Sequence, residues 1–232
     1  MLEKAQNDHV IRLGLLFAHR FCMRAQQYVK TNANCDILTY GSVHFHKDSH
    51  GNVISMTYRN TKDKNHPWGE DPMDRTIYCT CNSPWTCLPC YACGIIEFNL
   101  KYTDKDLNDP IIAYSGGVVT FNEWYNIVRS LIAEIDCDPD DYGTHSLRAG
   151  GTSERDIMGE SPLELQHFGW WKTLESVFTY IRLNNPDMTR FVNNFDHYVK
   201  SRRKEYKLSQ ATIDAQQASW LKLMCKTKRH KK

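Results

Sequence analysis

The segment Tyr142–Arg182, YGTHSLRAGGTSERDIMGESPLELQHFGWWKTLESVFTYIR, carries most of the information in this chain. His145 and Arg148 are spaced i, i+3, so on a helix they share one face. Such a pair offers an imidazole and a guanidinium to one phosphate, and the planar Arg fork donates to two phosphate oxygens at once. Beside it, Gly150 and Gly151 would let another backbone, or DNA, approach closely. Downstream, Trp171 supplies an indole N–H and Tyr180 a hydroxyl. Each residue alone has an ordinary structural explanation. His145 could cap a helix. Trp170 and Trp171 could be core aromatics, and Trp170 is expected to be one. Tyr180 stands among Val177, Phe178 and Ile181, as a packing Tyr would. The signal is the set, in its order and spacing.

That set resembles the catalytic domain of tyrosine recombinases and phage-type integrases. Their mark is His-x-x-Arg, then Gly-x-(His/Trp), then a nucleophilic Tyr about nine residues on. Here these are His145-Ser146-Leu147-Arg148, Gly169-Trp170-Trp171 and Tyr180-Ile181-Arg182, with Ala149-Gly150-Gly151 also matching. The resemblance spans about residues 10–185 and implies a mainly α fold with a small three-stranded antiparallel sheet. It places the family's first Arg upstream: Arg24 matches, in Met23–Val29, with Arg20 the alternative one helical turn earlier. The acidic residue usual after that Arg is Gln27 here, which can still hydrogen-bond. The family's Lys, between its second and third strands, corresponds to Lys62, with Lys64 the alternative.

The resemblance implies transesterification at a DNA phosphodiester. Tyr180 would attack the phosphorus, forming a 3′-phosphotyrosyl bond and releasing a 5′-hydroxyl; a second 5′-hydroxyl would then reverse the step. Covalent catalysis splits one hard step into two. Bond energy is conserved, so the family requires no cofactor, metal or ATP. A phenol of ordinary pKa near 10 is a poor nucleophile, and a positive cluster would help it. Arg24 and Arg148 would clamp non-bridging oxygens, and His145 would assist proton transfer. Trp171 would donate to a phosphate oxygen, and Lys62 would protonate the leaving oxygen. Two other functions share the fold or the chemistry: a catalytically inactive DNA-binding module, and a type IB topoisomerase-like relaxase.

The rest of the chain is read by periodicity. Val10, Leu13, Leu16, Phe17, Phe21 and Tyr28 predict a helix over 10–30. Strands are expected at Asp36–His46, Val53–Arg59 and about Arg75–Cys79, with a turn at Asp48–Asn52 and a polar loop over Asn60–Asp74. Thr120 and Glu123 form a capping box before an apolar helical repeat that runs to Ile135. A helix should begin near His145, and Ser161-Pro162-Leu163-Glu164 starts another. Helices are also expected over 174–183, 187–207 and 210–225. The domain expectation is a catalytic domain over 1–186, then a helical extension with a basic tail over 187–232.

Composition bounds the partners. The net charge of +2 conceals eleven Lys and Arg against two Asp and Glu between Lys200 and Lys232. A basic tail can hold double-stranded DNA by releasing phosphate counterions, although a solvated terminus explains the charge equally well. The helix after the Tyr commonly docks on a neighbouring protomer in the family, which implies a homo-oligomer on DNA; packing on its own domain is the alternative. No run of 18 uncharged apolar residues predicts a membrane span, and the N-terminus lacks signal-peptide features. The expected location is intracellular, with DNA: the nucleus in a eukaryote. Nine cysteines without a secretion signal predict reduced thiols. Five of them, Cys79, Cys81, Cys87, Cys90 and Cys93, crowd into one segment. Four thiolates could bind tetrahedral Zn²⁺. Crowded rather than separated Cys-x-x-Cys steps argue instead for buried free thiols.

Overall fold

In the computed structural model the described residues are 8–181, apart from 33–35, 63–72, 81–86 and 115–116. They belong to one compact unit, Met1–Arg182. The helices expected beyond 182 lie outside the described residues. Among those described, no helix is long and apolar enough to cross a membrane.

The first helix, α1 (His9–Arg20), is capped by the Asp8 carboxylate, which accepts from the Val10 and Ile11 N–H groups at 3.0 and 3.1 Å. It stops ten residues before the predicted end. Cys22 takes the left-handed conformation (φ +50°). The Met23 N–H then donates back to the Ala18 carbonyl (2.9 Å) and the Cys22 N–H to that of His19 (3.2 Å). This is a Schellman stop, a role that glycine usually fills. The chain continues extended through Arg24 into a 3₁₀ turn, Ala25–Gln27.

Three antiparallel strands follow in the order β1 (Val43–Lys47), β2 (Val53–Asn60), β3 (Met73–Tyr78). Val43 and Phe45 pair with Tyr58 and Met56, which pair in turn with Arg75 and Ile77. The first strand is shorter than predicted at its start. Leu38 instead bonds the Gln27 and Ile111 backbones, and Tyr40–Ser42 form a 3₁₀ turn. The expected turn is present: the Asp48 carboxylate accepts from the His50 and Asn52 N–H groups at 2.8 Å, and Gly51 has φ +83°.

Helix α2 (Leu88–Tyr102) opens at Cys87 with Pro89 in its first turn. A two-stranded ribbon, β4 (Ala113–Tyr114) and β5 (Gly117–Val118), leads to α3 (Phe121–Ala133). The Thr120–Glu123 capping box is formed, as is that of Ser161 and Glu164. Trp124 of α3 fills the centre of the core, its indole N–H donating to the Tyr28 hydroxyl at 3.0 Å. Gly14 of α1 makes room for it; a Cβ there would overlap the indole ring.

Helices α4 (Thr144–Ile157), α5 (Pro162–Gly169) and α6 (Leu174–Phe178) complete the unit. The last is shorter than predicted, with Thr179 and Tyr180 in the turn after it. Helix α4 lies against α1, and Gly151 is where they meet. A Cβ on Gly151 would overlap the His19 carbonyl oxygen, whereas one on Gly150 would reach the His19 ring only at 3.4 Å. The close approach suggested by the Gly-Gly pair is therefore made by backbone, at its second member.

This difference is measurable. Gly151→Ala must force α1 and α4 apart and should cost about 3 kcal/mol or more in urea unfolding, at the upper end of core overpacking. Gly150→Ala should be neutral or stabilising by up to roughly 1 kcal/mol, because alanine favours helix. Equal effects at the two positions would contradict this packing.

Candidate active site

The site is organised around Arg148, whose residue is only 1 % exposed. One guanidinium nitrogen donates to the Cys22 carbonyl and the other to that of Gly169 (2.7 Å). Both carbonyls belong to helix ends. Helix α5 stops as α1 does: Trp170 is left-handed (φ +58°), the Trp171 N–H donates to the Gln166 carbonyl (3.0 Å) and the Trp170 N–H to that of His167 (3.2 Å). A single cation thus serves two helix C-termini, where the aligned peptide dipoles favour positive charge. Arg75 of β3, buried beneath Tyr58 and Phe21, donates to the Phe21 carbonyl (2.7 Å) at the α1 terminus. Sequence reasoning passed over Arg75; Tyr58–Arg75 pairing places it, and no local motif marks it.

Two aromatic rings cover Arg148. Its guanidinium carbon lies 3.9 Å from the Trp171 ring centroid and 5.3 Å from that of Tyr180. The two rings are 5.3 Å apart. Trp171 sits over Gly169, where a Cβ would overlap its ring. Its indole nitrogen is buried without a hydrogen-bond partner among the described residues. Trp170 is also buried, in accord with its expected core role. Tyr180 is half-buried, and its carbonyl accepts from the Ser153 hydroxyl (3.1 Å). Across it stands His145, ring centroids 6.4 Å apart and planes within 12°.

These rings open onto a cavity of about 590 Å³, lined by Arg24, His145, Trp171, Lys172, Glu175 and Tyr180 among others. The structure therefore brings Arg24, His145, Trp171 and Tyr180 to one surface, with Arg148 directly behind. Arg24 reaches it from an extended segment, not from a helix. Its N–H donates to the Gln27 side-chain oxygen at 2.9 Å, so the amide at this position orients the backbone that presents Arg24. Arg20 faces elsewhere and pairs with Glu154 at 2.8 Å. Lys62 follows β2, its carbonyl accepting from the Asp36 N–H (3.3 Å), and it is not among the cavity's lining residues. Lys64 lies outside the described residues. Lys172 was missed; it directly follows Trp171 and so shares the cavity wall. A wall bearing Arg24, Lys172 and an imidazole suits a phosphate backbone.

Two shifts follow from this crowding. Burial, and then Arg24, push the Arg148 guanidinium below its usual range, though an Arg stays charged at neutral pH. Loss of solvent, then Arg148 and Arg24, hold His145 below the ordinary histidine value. His145 is open to solvent overall, with one ring face turned toward Tyr180.

Of the five clustered cysteines, Cys81 lies outside the described residues. The Cys79, Cys87 and Cys90 sulfurs lie within 4.8 Å of one another. Cys93, a turn further along α2, has Glu97 and Lys47 as neighbours instead.

No family model matches the sequence, and no curated protein does. Among solved structures the chain is similar to the XerA recombinase, with 15 % identity and a TM-score of 0.55 over 87 % of this chain and 60 % of that one. It is also similar to the XerH site-specific recombinase bound to its difH substrate before cleavage (12 % identity, TM-score 0.55, 82 % of this chain and 49 % of that one). The XerH post-cleavage complex gives 14 % and 0.53, over 84 % and 50 %. The chain thus spans about half the length of XerH and three-fifths of XerA. Its fold is that of the tyrosine recombinase catalytic domain, mainly α with a three-stranded antiparallel sheet.

The histidine offers a direct check. Its folded-state pKa is depressed, so between the folded and unfolded values the unfolded chain binds more protons. The stability tied to this group is therefore complete above about pH 6.5 and is lost as pH falls through the folded value. An NMR titration should place the His145 midpoint below 6.5. Arg24→Gln should raise it while leaving it below 6.5, because burial is the larger cause. A midpoint at or above 6.5 in the unaltered protein would mean that His145 does not sit against this cationic wall.

Proposed function

We propose that this chain breaks and rejoins DNA strands through a covalent phosphotyrosine at Tyr180, as a site-specific recombinase or a mobile-element integrase. One observation carries the reading: Tyr180 shares a cavity wall with Arg24, His145 and Trp171, while Arg148 lies 5.3 Å behind its ring. Arg24 comes from beyond α1, His145 and Arg148 from α4, and Trp171 and Tyr180 from the turns after α5 and α6, so their meeting is a property of the fold.

In the proposed reaction the Tyr180 oxygen forms a bond to phosphorus, and the bond from phosphorus to the 5′-oxygen breaks. His145, whose pKa burial and then Arg148 and Arg24 lower, accepts the phenolic proton. Arg24 and Arg148 stabilise charge on the non-bridging oxygens, and the Trp171 N–H, which has no partner among the described residues, donates to one of them. The leaving 5′-oxygen takes a proton from a lysine. Lys62 is the candidate by family position, and Lys172 is the lysine that lines the cavity. Attack of a 5′-hydroxyl on the phosphotyrosine restores the phosphodiester and the phenol. Double-stranded DNA is the partner, engaged by several copies of the chain. The basic segment 200–232 adds sequence-independent affinity, and the work is intracellular, where the DNA lies.

The test is trapping on suicide DNA nicked beside the scissile phosphate, drawn from a library of sites flanking the gene's own locus. The full chain should yield a protein–DNA adduct on denaturing gels that Tyr180→Phe abolishes. Arg24→Ala should slow adduct formation by roughly 10²–10³, the usual cost of losing a preorganised donor. Arg20→Ala should change it little. Site-specific binding with no adduct would instead establish a non-catalytic DNA-binding module, for which Tyr180→Phe is silent.

A further inference from the structure

The cysteine cluster stands apart from the cavity, and none of its members lines it. Its geometry is built by two regular elements. Cys79 directly follows β3, and its N–H donates to the Ile54 carbonyl at 2.8 Å, so the end of the sheet holds it in place. Cys87 is the N-cap of α2, and Cys90 lies in the first turn of that helix. Strand end and helix start bring three sulfurs together: Cys79 to Cys90 is 3.2 Å, and Cys79 to Cys87 is 3.5 Å.

Neither a disulfide nor ordinary packing accounts for this group. The sulfurs are well beyond the roughly 2.05 Å of an S–S bond, and one of any three would be left over. No disulfide joins any two of the described cysteines. Neutral thiols gain little from one another, because S–H is a weak donor and sulfur a weak acceptor. Three thiolates around a tetrahedral zinc, by contrast, lie about 3.8 Å apart, as follows from a Zn–S length of about 2.3 Å. A small outward relaxation makes room for the ion. The start of α2 also favours negative sulfur, because the positive end of the helix dipole lies there. An all-sulfur set selects a soft divalent ion over magnesium or calcium.

We propose that Cys79, Cys87 and Cys90 bind one Zn²⁺ that fastens the end of the sheet to the start of α2. Binding converts three thiols to thiolates and releases three protons; water or one further donor completes the tetrahedron. The crowding of Cys-x-x-Cys steps does not count against this site, because its third ligand comes from the strand and Cys93 is not needed. The clamp is structural. It anchors β3, the strand that carries Arg75 to the end of α1.

Metal analysis of the full chain, purified reduced and without chelators, should find one zinc per chain. Cys79→Ser/Cys90→Ser should retain less than a tenth of it, and Cys93→Ser should retain all of it. Misfolding of the double variant would also release zinc, so the unaltered protein is stripped and reloaded with Co²⁺ as well. A near-ultraviolet sulfur-to-cobalt charge-transfer band should appear, with the strong visible bands of tetrahedral cobalt. That band should weaken, without vanishing, in Cys79→Ser. Zinc that survives the double substitution would overturn the assignment. So would a folded, reduced protein that holds no zinc and gives no charge-transfer band, or zinc lost on Cys93→Ser.

Discussion

The site depends on one buried cation placed where two helices end. Burying a guanidinium costs several kcal/mol, and only well-made hydrogen bonds offset it. Arg148 makes them to the Cys22 and Gly169 carbonyls, each beyond the reach of its own helix ladder. The consequence is positional. Cys22 is two residues before Arg24, and Gly169 is two before Trp171. By fixing both carbonyls, Arg148 sets where the extended Arg24 segment and the Trp171–Tyr180 segment start. Arg75 reinforces the first of these from the sheet. The residue expected from its motif to clamp phosphate is thus the pin of the scaffold, and its planar fork is what lets it hold two carbonyls at once.

Four helices end in the same hydrogen-bond pattern, and only one of them does so on a glycine. Helix α4 stops at Gly159, where the Glu160 N–H donates to the Arg155 carbonyl. Helices α1, α3 and α5 make the equivalent turn with Cys22, Asp136 and Trp170 left-handed. For a residue with a Cβ this costs on the order of 1–2 kcal/mol, so no local signal announces it. Tertiary contacts hold it: Arg148 and Arg75 on the carbonyls about Cys22, and the close approach of Gly151 to His19. The apolar repeat that continues past Arg20 is real burial, since Phe21, Met23, Tyr28 and Val29 all enter the core, but without helix. That is why the predicted helix ran ten residues long. Capping boxes at Thr120 and Ser161, the Asp48 turn and β2 were legible because their chemistry is local.

The candidate site divides along the same line. His145, Arg148, Trp171 and Tyr180 could be picked out because helical spacing and a resemblance place them within one segment. Arg24 could be placed by resemblance, though its extended backbone could not be foreseen. Lys172 and Arg75 carry no motif and emerge only from packing. The cysteine group lies between these cases. Its members were all candidates by sequence, whereas the choice of Cys79, Cys87 and Cys90 over Cys93 comes from the fold, which sets the end of β3 against the start of α2.

The arrangement around Arg148 bears on how such a site would engage DNA. The guanidinium is covered by Trp171 and Tyr180, and the covering contacts are weak: a cation–π contact is worth about 0.5–2 kcal/mol. A charge-assisted contact with a phosphate oxygen is stronger. Arg24 and His145 add to the exchange, because each is a positive or protonatable group beside Arg148 and an incoming anion relieves that crowding. On the proposed reaction, a phosphate that reaches Arg148 must displace the Tyr180 ring from its face. Tyr180 follows a helix of only five residues, so the displacement need not disturb the pin that Arg148 makes with Cys22 and Gly169. Phosphate entry and nucleophile movement would then be one event, and the tyrosine that caps the cation in the free chain would leave it only when there is a phosphate to attack.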